Sequence, residues 1–245
     1  MDPTLPSCHW RSPPRRIVVP NSNVDLWKID LAPKIFDEER LMRALSGDER
    51  ARARRCRDVI ARRFIVGRYA LRILLGRYTG RRPDAVRLAY GPQGKPYLAA
   101  TVHGPWFNLC HSGDIALLAV SGAGAIGIDI ERIRRIAHPE QVAERFFTDD
   151  TTTEISDAFR DLTPVHRFFL RWTAFEATRK AQGIGVFSPA HSASDHVTVA
   201  PDAIRHFIPA ANHIAAAAMP TGLPPVQRWS CYECTQTFLS SAEDG

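Results

Sequence analysis

Asp129 and Glu131 are the side chains with most chemistry to offer in this chain of 245 residues. They stand two apart in the segment Ala125–Arg132, AIGIDIER, alternating with Ile126, Ile128 and Ile130. A strand sends successive side chains to opposite faces. The isoleucines can therefore enter a core while both carboxylates project together on the other face, with Gly127 leaving room beside them. Paired carboxylates can grip a hard cation such as Mg²⁺ through oxygen. Taken alone, the octapeptide reads equally well as a half-buried strand with a wet acidic face.

Other segments offer groups suited to phosphate. In Gly91–Leu98, GPQGKPYL, a turn carries Lys95 at its tip, and Pro96 fixes the chain behind it. A lysine held this way can meet a phosphate, although a solvent-exposed hairpin loop explains the piece as well. Phe107–Ser112 and Ile115–Ser121 read as two strands joined by a tight turn at Gly113-Asp114. His111 and Ser112 sit at that turn, where side chains are presented to solvent. Pro164–Gln182 has the pattern of a long helix ended by Gly183 and Gly185. Within it Phe169, Trp172, Glu176 and Lys180 share roughly one face. Glu176 and Lys180 can form a simple i, i+4 ion pair, but bulky Trp172 one turn earlier argues for partial burial of that face.

The elements that would position these groups are an alternation of strands and helices. Val24–Leu31 is a strand with Val24, Leu26 and Ile29 inward. Asp37–Leu45 is a short helix, and Ser46 caps a second one with Asp48 and Glu49 in its first turn. Ala61–Tyr78 is a long helix with an apolar stripe, and Arg63 points off its N-terminal end. Val86–Tyr90 is a strand. After AIGIDIER come a helix over Pro139–Phe147, a polar loop over Thr148–Thr153, and the long helix. Val197–Val199, Ile204–Ile208, His213–Met219 and Gln227–Cys234 read as strands of an antiparallel sheet. The organisation is α/β in two halves, 1–122 and 123–245, without a detectable sequence repeat.

Composition narrows the partner. The net charge is +6, and the stretch from Arg40 to Arg87 holds fifteen arginines and no lysine. Such a stripe suits an anionic partner, although the chain has only four lysines against 28 arginines and the bias accounts for part of it. Five cysteines, odd in number and unevenly spaced, do not form a disulfide framework, and the single CxxC of Cys231 and Cys234 is a weak zinc or redox signal. Reduced thiols are expected. No apolar run reaches membrane-helix length and the N-terminus has no apolar leader, so a cytoplasmic protein is expected. Met1–Pro20 is a proline-rich leader.

Four motifs in order resemble the Sfp-type phosphopantetheinyl transferases: Gly94-Lys95-Pro96, FNxxHS (Phe107, Asn108, His111, Ser112), GIDIE (Gly127–Glu131) and WTxxEAxxKAxGxG from Trp172 to Gly185. The resemblance covers roughly residues 37–187. It implies two similar α/β halves in a pseudo-twofold arrangement, with the active site in the cleft between them. It implies transfer of 4'-phosphopantetheine from coenzyme A to a serine of an apo carrier protein, with Mg²⁺, releasing adenosine 3',5'-bisphosphate. By motif position, Asp129, Glu131 and Glu176 are the expected metal ligands and Lys180 sits by the phosphate. Lys95, Asn108 and His111 are expected to contact coenzyme A, with Arg63 and, less centrally, Arg52 on the nucleotide's phosphates. Glu176 would act as base toward the serine, while Lys180 and His111 would stabilise charge on the leaving phosphate. Carriers in this family are acidic, which gives the arginine stripe a second use. A monomer in the cytoplasm, serving secondary metabolite biosynthesis, with the carrier (fatty-acid, polyketide, nonribosomal-peptide or another) left open, is the expectation.

Two positions depart from the family pattern. Phe175 replaces a lysine before the helix glutamate, which predicts weaker phosphate binding unless Arg179 or Arg171 substitutes. Cys110 replaces a serine before the histidine, a small loss because a thiol is a poor donor. Phe175 motivates an alternative, a non-catalytic relative that binds coenzyme A or carrier. A nucleic-acid-binding module is disfavoured because no recognised motif accompanies the arginines.

Overall fold

The structure is a computed structural model and describes residues 7–33, 37–99, 105–139, 141–142, 162–184 and 203–241. The expected polar loop 148–153, strand 197–199 and Gly185, and most of the expected helix 139–147, lie outside the described residues.

Two sheets face each other. The first has the order β4-β5-β1-β9, from Trp106–Ser112, Ile115–Ser121, Asn23–Asp30 and Arg228–Cys234. The second has the order β6-β8-β7, from Gly127–Arg132, His213–Ala218 and Ile204–Phe207. Between them lies a core of Val24, Leu26, Leu117, Ala119, Ile126, Ile128, Ile130, Phe207, Ala215 and Ala217. The outer face of the first sheet, with Trp27, Ile29, Leu118 and Val120, packs on helices α1 (Glu38–Ala44) and α3 (Asp58–Thr79). The outer face of the second is covered by α4 (Pro164–Gln182), through Ala174, Ala177 and Ala181 against Ala216 and Ala218. The α/β architecture matches the sequence reading. β1 is buried on both faces, so Ile29 points away from Val24 and Leu26 rather than with them.

Local signals explain the helix ends. Asp37 caps α1 by accepting from the Arg40 amide at 3.0 Å. Ser46 and Glu49 cap α2 (Gly47–Arg54), the Ser46 amide donating to Glu49 Oε2 at 3.0 Å. Glu49 is itself buried, and its Oε2 accepts from Arg72 Nε at 2.6 Å, which ties α2 to α3. Inside the first sheet's outer core, Trp27 Nε1 donates to the Tyr78 hydroxyl at 2.8 Å, and that hydroxyl donates to Asp25 Oδ2 at 2.6 Å. Burial of the Asp25 carboxyl raises its pKa, partly offset by the Tyr78 bond.

The sheets also meet edge to edge. Asn108 Oδ1 accepts from the Ile128 amide at 2.8 Å, and Ser112 Oγ accepts from the Arg132 amide at 3.0 Å. Both pairs have the same spacing in sequence, so β4 and β6 run parallel, joined by side chains instead of a backbone ladder.

The end of the chain departs from expectation. β9 pairs in parallel with β1 rather than in an antiparallel sheet. Helix α5 (Gln236–Ser241) follows it and packs Leu239 and Phe238 beside Trp27. Cys231 and Cys234 fall on opposite faces of β9, one in each core, so the CxxC cannot act as a chelating pair. Near the other end, Arg11 bridges Tyr232, and Ser7 bridges Ile208.

Candidate active site

Strand β6 has the predicted faces, and of the two readings of its acidic face the wet one does not hold at Asp129. Ile126, Ile128 and Ile130 enter the inter-sheet core. At Asp129 the opposite face is dry, because α4 lies across it, while Glu131 stays partly exposed. A Cβ on Gly127 would run into the Ala177 carbonyl oxygen. Glycine at that position lets the helix backbone touch the strand, and the helix then brings Glu176 and Lys180 over Asp129.

The result is a close cluster. Lys180 Nζ lies 2.5 Å from Asp129 Oδ1 and 2.9 Å from Glu176 Oε2. The expected intrahelical pair therefore exists, and the same ammonium also reaches the strand. Asp129 is only 4% exposed, and its Oδ2 is buried with no hydrogen-bond partner. Burial raises the Asp129 pKa well above its ordinary value, and Glu176 adds to the rise while Lys180 opposes it. For Lys180, burial works against the charge, but Asp129 and Glu176 outweigh it and the pKa rises. Opposite charges thus hold the ammonium firmly in place.

Glu131 shares the strand face but not the cluster. Its Oε2 accepts from Arg134 Nη1 at 2.9 Å and from Ser112 Oγ at 3.3 Å. Among the described residues no group of three His, Cys, Asp or Glu is gathered as a finished metal site. The orphaned Asp129 Oδ2 and the adjoining Glu176 nonetheless suit a hard divalent cation, while Glu131 is held by Arg134 and Ser112.

The coenzyme A candidates divide. His111 is exposed at the β4–β5 turn as expected. Partial desolvation, then the charges of Arg63 and Lys180, lower its pKa. Arg63 Nε donates to Asp114 Oδ1 at 2.8 Å in the same turn. His111 thus lies within reach of the charges of both Arg63 and Lys180. Arg52 lies apart on α2, its guanidinium 4.9 Å from the centre of the Phe64 ring. Asn108 is buried, and its side-chain oxygen is committed to β6.

Lys95 is not the free tip of an exposed loop. It stands between β2 (Leu88–Tyr90) and β3 (Pro96–Leu98), and its Nζ donates to Ile126 O at 2.9 Å and Lys180 O at 2.5 Å. Lys180 O belongs to the last turn of α4, where the helix dipole favours a cation. Two of its three donors are thus used in fastening the hairpin to β6 and α4. It also lines a cavity of about 310 Å³ with Tyr97, Trp106, Ala181 and Gly183.

Phe175 packs with Trp172, ring centroids 6.2 Å apart, and the Arg179 guanidinium stands 5.5 Å from its ring centre. Sequence reasoning missed Arg134 and placed Ser112 only at a turn; both hold Glu131.

Residues 125–220 match a family model described as the 4'-phosphopantetheinyl transferase superfamily. Among curated proteins, 4'-phosphopantetheinyl transferase HetI of Nostoc sp. is 37% identical over 180 residues, covering 72% of this chain and 76% of the relative. A 4'-phosphopantetheinyl transferase of Bacillus subtilis is 29% identical over 161 residues, covering 64% and 69%. AcpT of Escherichia coli K12 is 38% identical over 96 residues, covering 39% and 48%. The superfamily match contains the whole of β6, α4, β7 and β8, the elements that build the carboxylate–lysine cluster.

Proposed function

Because the chain belongs to the 4'-phosphopantetheinyl transferase superfamily and is a transferase, we propose that it moves 4'-phosphopantetheine from coenzyme A to a serine of an apo carrier protein, dependent on Mg²⁺. The observation that carries this reading is the cluster that Glu176 and Lys180 of α4 form over the buried Asp129 of β6.

Asp129, Glu176 and Glu131 would hold the cation, which when bound neutralises pyrophosphate oxygens and polarises phosphorus. Glu176 Oε2 accepts the proton of the carrier serine, and Lys180 Nζ, 2.9 Å away, orients that carboxylate. Lys180 and His111 offer hydrogen bonds and positive charge to the leaving phosphate. Arg63 and Arg52 attract the nucleotide's phosphates, and the remaining donor of Lys95 serves a phosphate oxygen. Asn108 acts by holding β4 against β6. In this reading residues 1–122 supply the basic side of a cleft and residues 123–245 the carboxylates, within one monomer. Acidic carriers are the fitting partners. Among the described residues no helix is long and apolar enough to cross a membrane.

Intact-mass spectrometry of an apo carrier incubated with the protein, coenzyme A and Mg²⁺ tests the proposal. A gain of one phosphopantetheine mass, lost with EDTA, is expected. No gain on fatty-acid, polyketide or peptide carriers while coenzyme A still binds would favour the non-catalytic alternative.

A further inference from the structure

Two cysteines outside the carboxylate cluster lie against each other. Cys231 is on β9, buried at the inter-sheet core, and Cys8 packs against that same core from the N-terminal segment. The segment is held in register there. The Arg11 amide donates to Cys231 O at 3.0 Å, the Glu233 amide donates to Arg11 O at 2.9 Å, and Trp10 Nε1 donates to Pro209 O at 2.9 Å. The two thiols hydrogen-bond each other. Beside them stands Arg205 of β7, whose Nε is buried without a hydrogen-bond partner and whose guanidinium lies 5.4 Å from the centre of the Trp229 ring.

We propose that Cys8 and Cys231 are a site of reversible oxidation, closing to a disulfide that fastens the N-terminal segment to β9 when the protein meets a low-molecular-weight disulfide. The roles of the two thiols follow from their surroundings. Cys8 is half-buried and within reach of a small reagent, whereas Cys231 is enclosed. The hydrogen bond from Cys8, together with Arg205 and Arg11, favours the Cys231 thiolate against the opposing effect of burial. The bond to Cys231 and burial hold the Cys8 proton firmly, so Cys8 attacks only as it hands that proton to the Cys231 thiolate. It then bonds one sulfur of the reagent, releasing the first half as a thiolate, which takes the proton back from Cys231. The Cys231 thiolate then attacks Cys8 Sγ, forming the internal S–S bond and releasing the second half. Two protein thiols are oxidised, one reagent disulfide is reduced to two thiols, and the two protons end on the released thiols. Cys56, Cys110 and Cys234 have no cysteine neighbour of this kind among the described residues. Cys56 is half-buried with its Sγ on Arg52 O, and Cys110 and Cys234 are enclosed in the cores.

Treatment of the full chain with oxidised glutathione, followed by non-reducing peptide mapping, tests this. The expected product is a monomer about 2 Da lighter, without retained glutathione. In it the peptides of Cys8 and Cys231 are joined, and dithiothreitol reverses the link. Its melting temperature rises by roughly 10 °C, because the bond closes a very long loop. Cys231→Ser is expected to stop at one glutathione on Cys8, and Cys8→Ser to form no internal link. Stable glutathione on both thiols of the native chain, a link through Cys56, or an intermolecular dimer would overturn the proposal. The native-chain map decides the matter even if a variant fails to fold.

Discussion

At the residue scale, Asp129 decides most. Asp129→Asn keeps the shape of the side chain and leaves Lys180 with Glu176. It should lower carrier modification by about 100-fold or more and abolish Mg²⁺ binding in calorimetry, with melting within about 5 °C of the native protein. Loss of fold instead would mean that the Lys180 bridge is the main tie between α4 and β6. Phe175 calls for a different expectation from the one its missing charge suggests. It is packed with Trp172 under Arg179, so Phe175→Lys should cost about 1–2 kcal/mol in urea unfolding before any gain at a phosphate appears. Lys95 offers a titration. Burial first, then the charge of Lys180, push its pKa down to about 8. Between there and the usual lysine range, the unfolded chain binds a proton that the native one lacks. This group therefore adds stability as pH rises through that window, and urea unfolding of Lys95→Met should lose that slope. The carboxylates and Lys180 were readable from sequence because the spacing of a strand and a helix puts them on defined faces. The tasks of Lys95, Asn108 and Ser112 were not. Each bonds a backbone group remote in sequence, and no local pattern records a long-range bond.

At the element scale, the contact of α4 with β6 is what turns separate motifs into a cluster. Gly127→Ala should force the helix off the strand and cost about 3 kcal/mol or more in urea unfolding. Carrier modification should fall even where the protein remains folded, because Lys180 moves with the helix. A tolerated alanine would show that the helix can slide without cost. Helix positions were legible in sequence through their caps: Asp37, Ser46, Gly80 and Gly183 stand where α1 to α4 begin or end. Strand partners were not legible. β9 alternates like any half-buried strand, and nothing in its residues tells parallel pairing with β1 from antiparallel pairing elsewhere. The choice between a wet face and a cation site on β6 stayed open for a related reason, since alternation reveals two faces and not what covers them.

At the scale of the whole molecule, the arginine-rich stretch is less free than its count implies. Arg72 is spent on buried Glu49, Arg63 on Asp114, and Arg43 and Arg82 on neighbouring acids. What remains should still steer an acidic carrier. Raising ionic strength from about 0.05 to 0.3 M should increase the KM for carrier roughly threefold or more, with kcat little changed, in a steady-state assay. An unchanged KM would place carrier recognition in shape rather than charge. The parallel pairing of β9 with β1 has a further consequence, for biosynthesis. The inner strand β1 is made long before its neighbour β9, so a nascent chain leaving the ribosome carries β1 with an open edge. Folding of that sheet must wait until β9 has left the ribosome, and the growing polypeptide is a natural client for chaperones until it does.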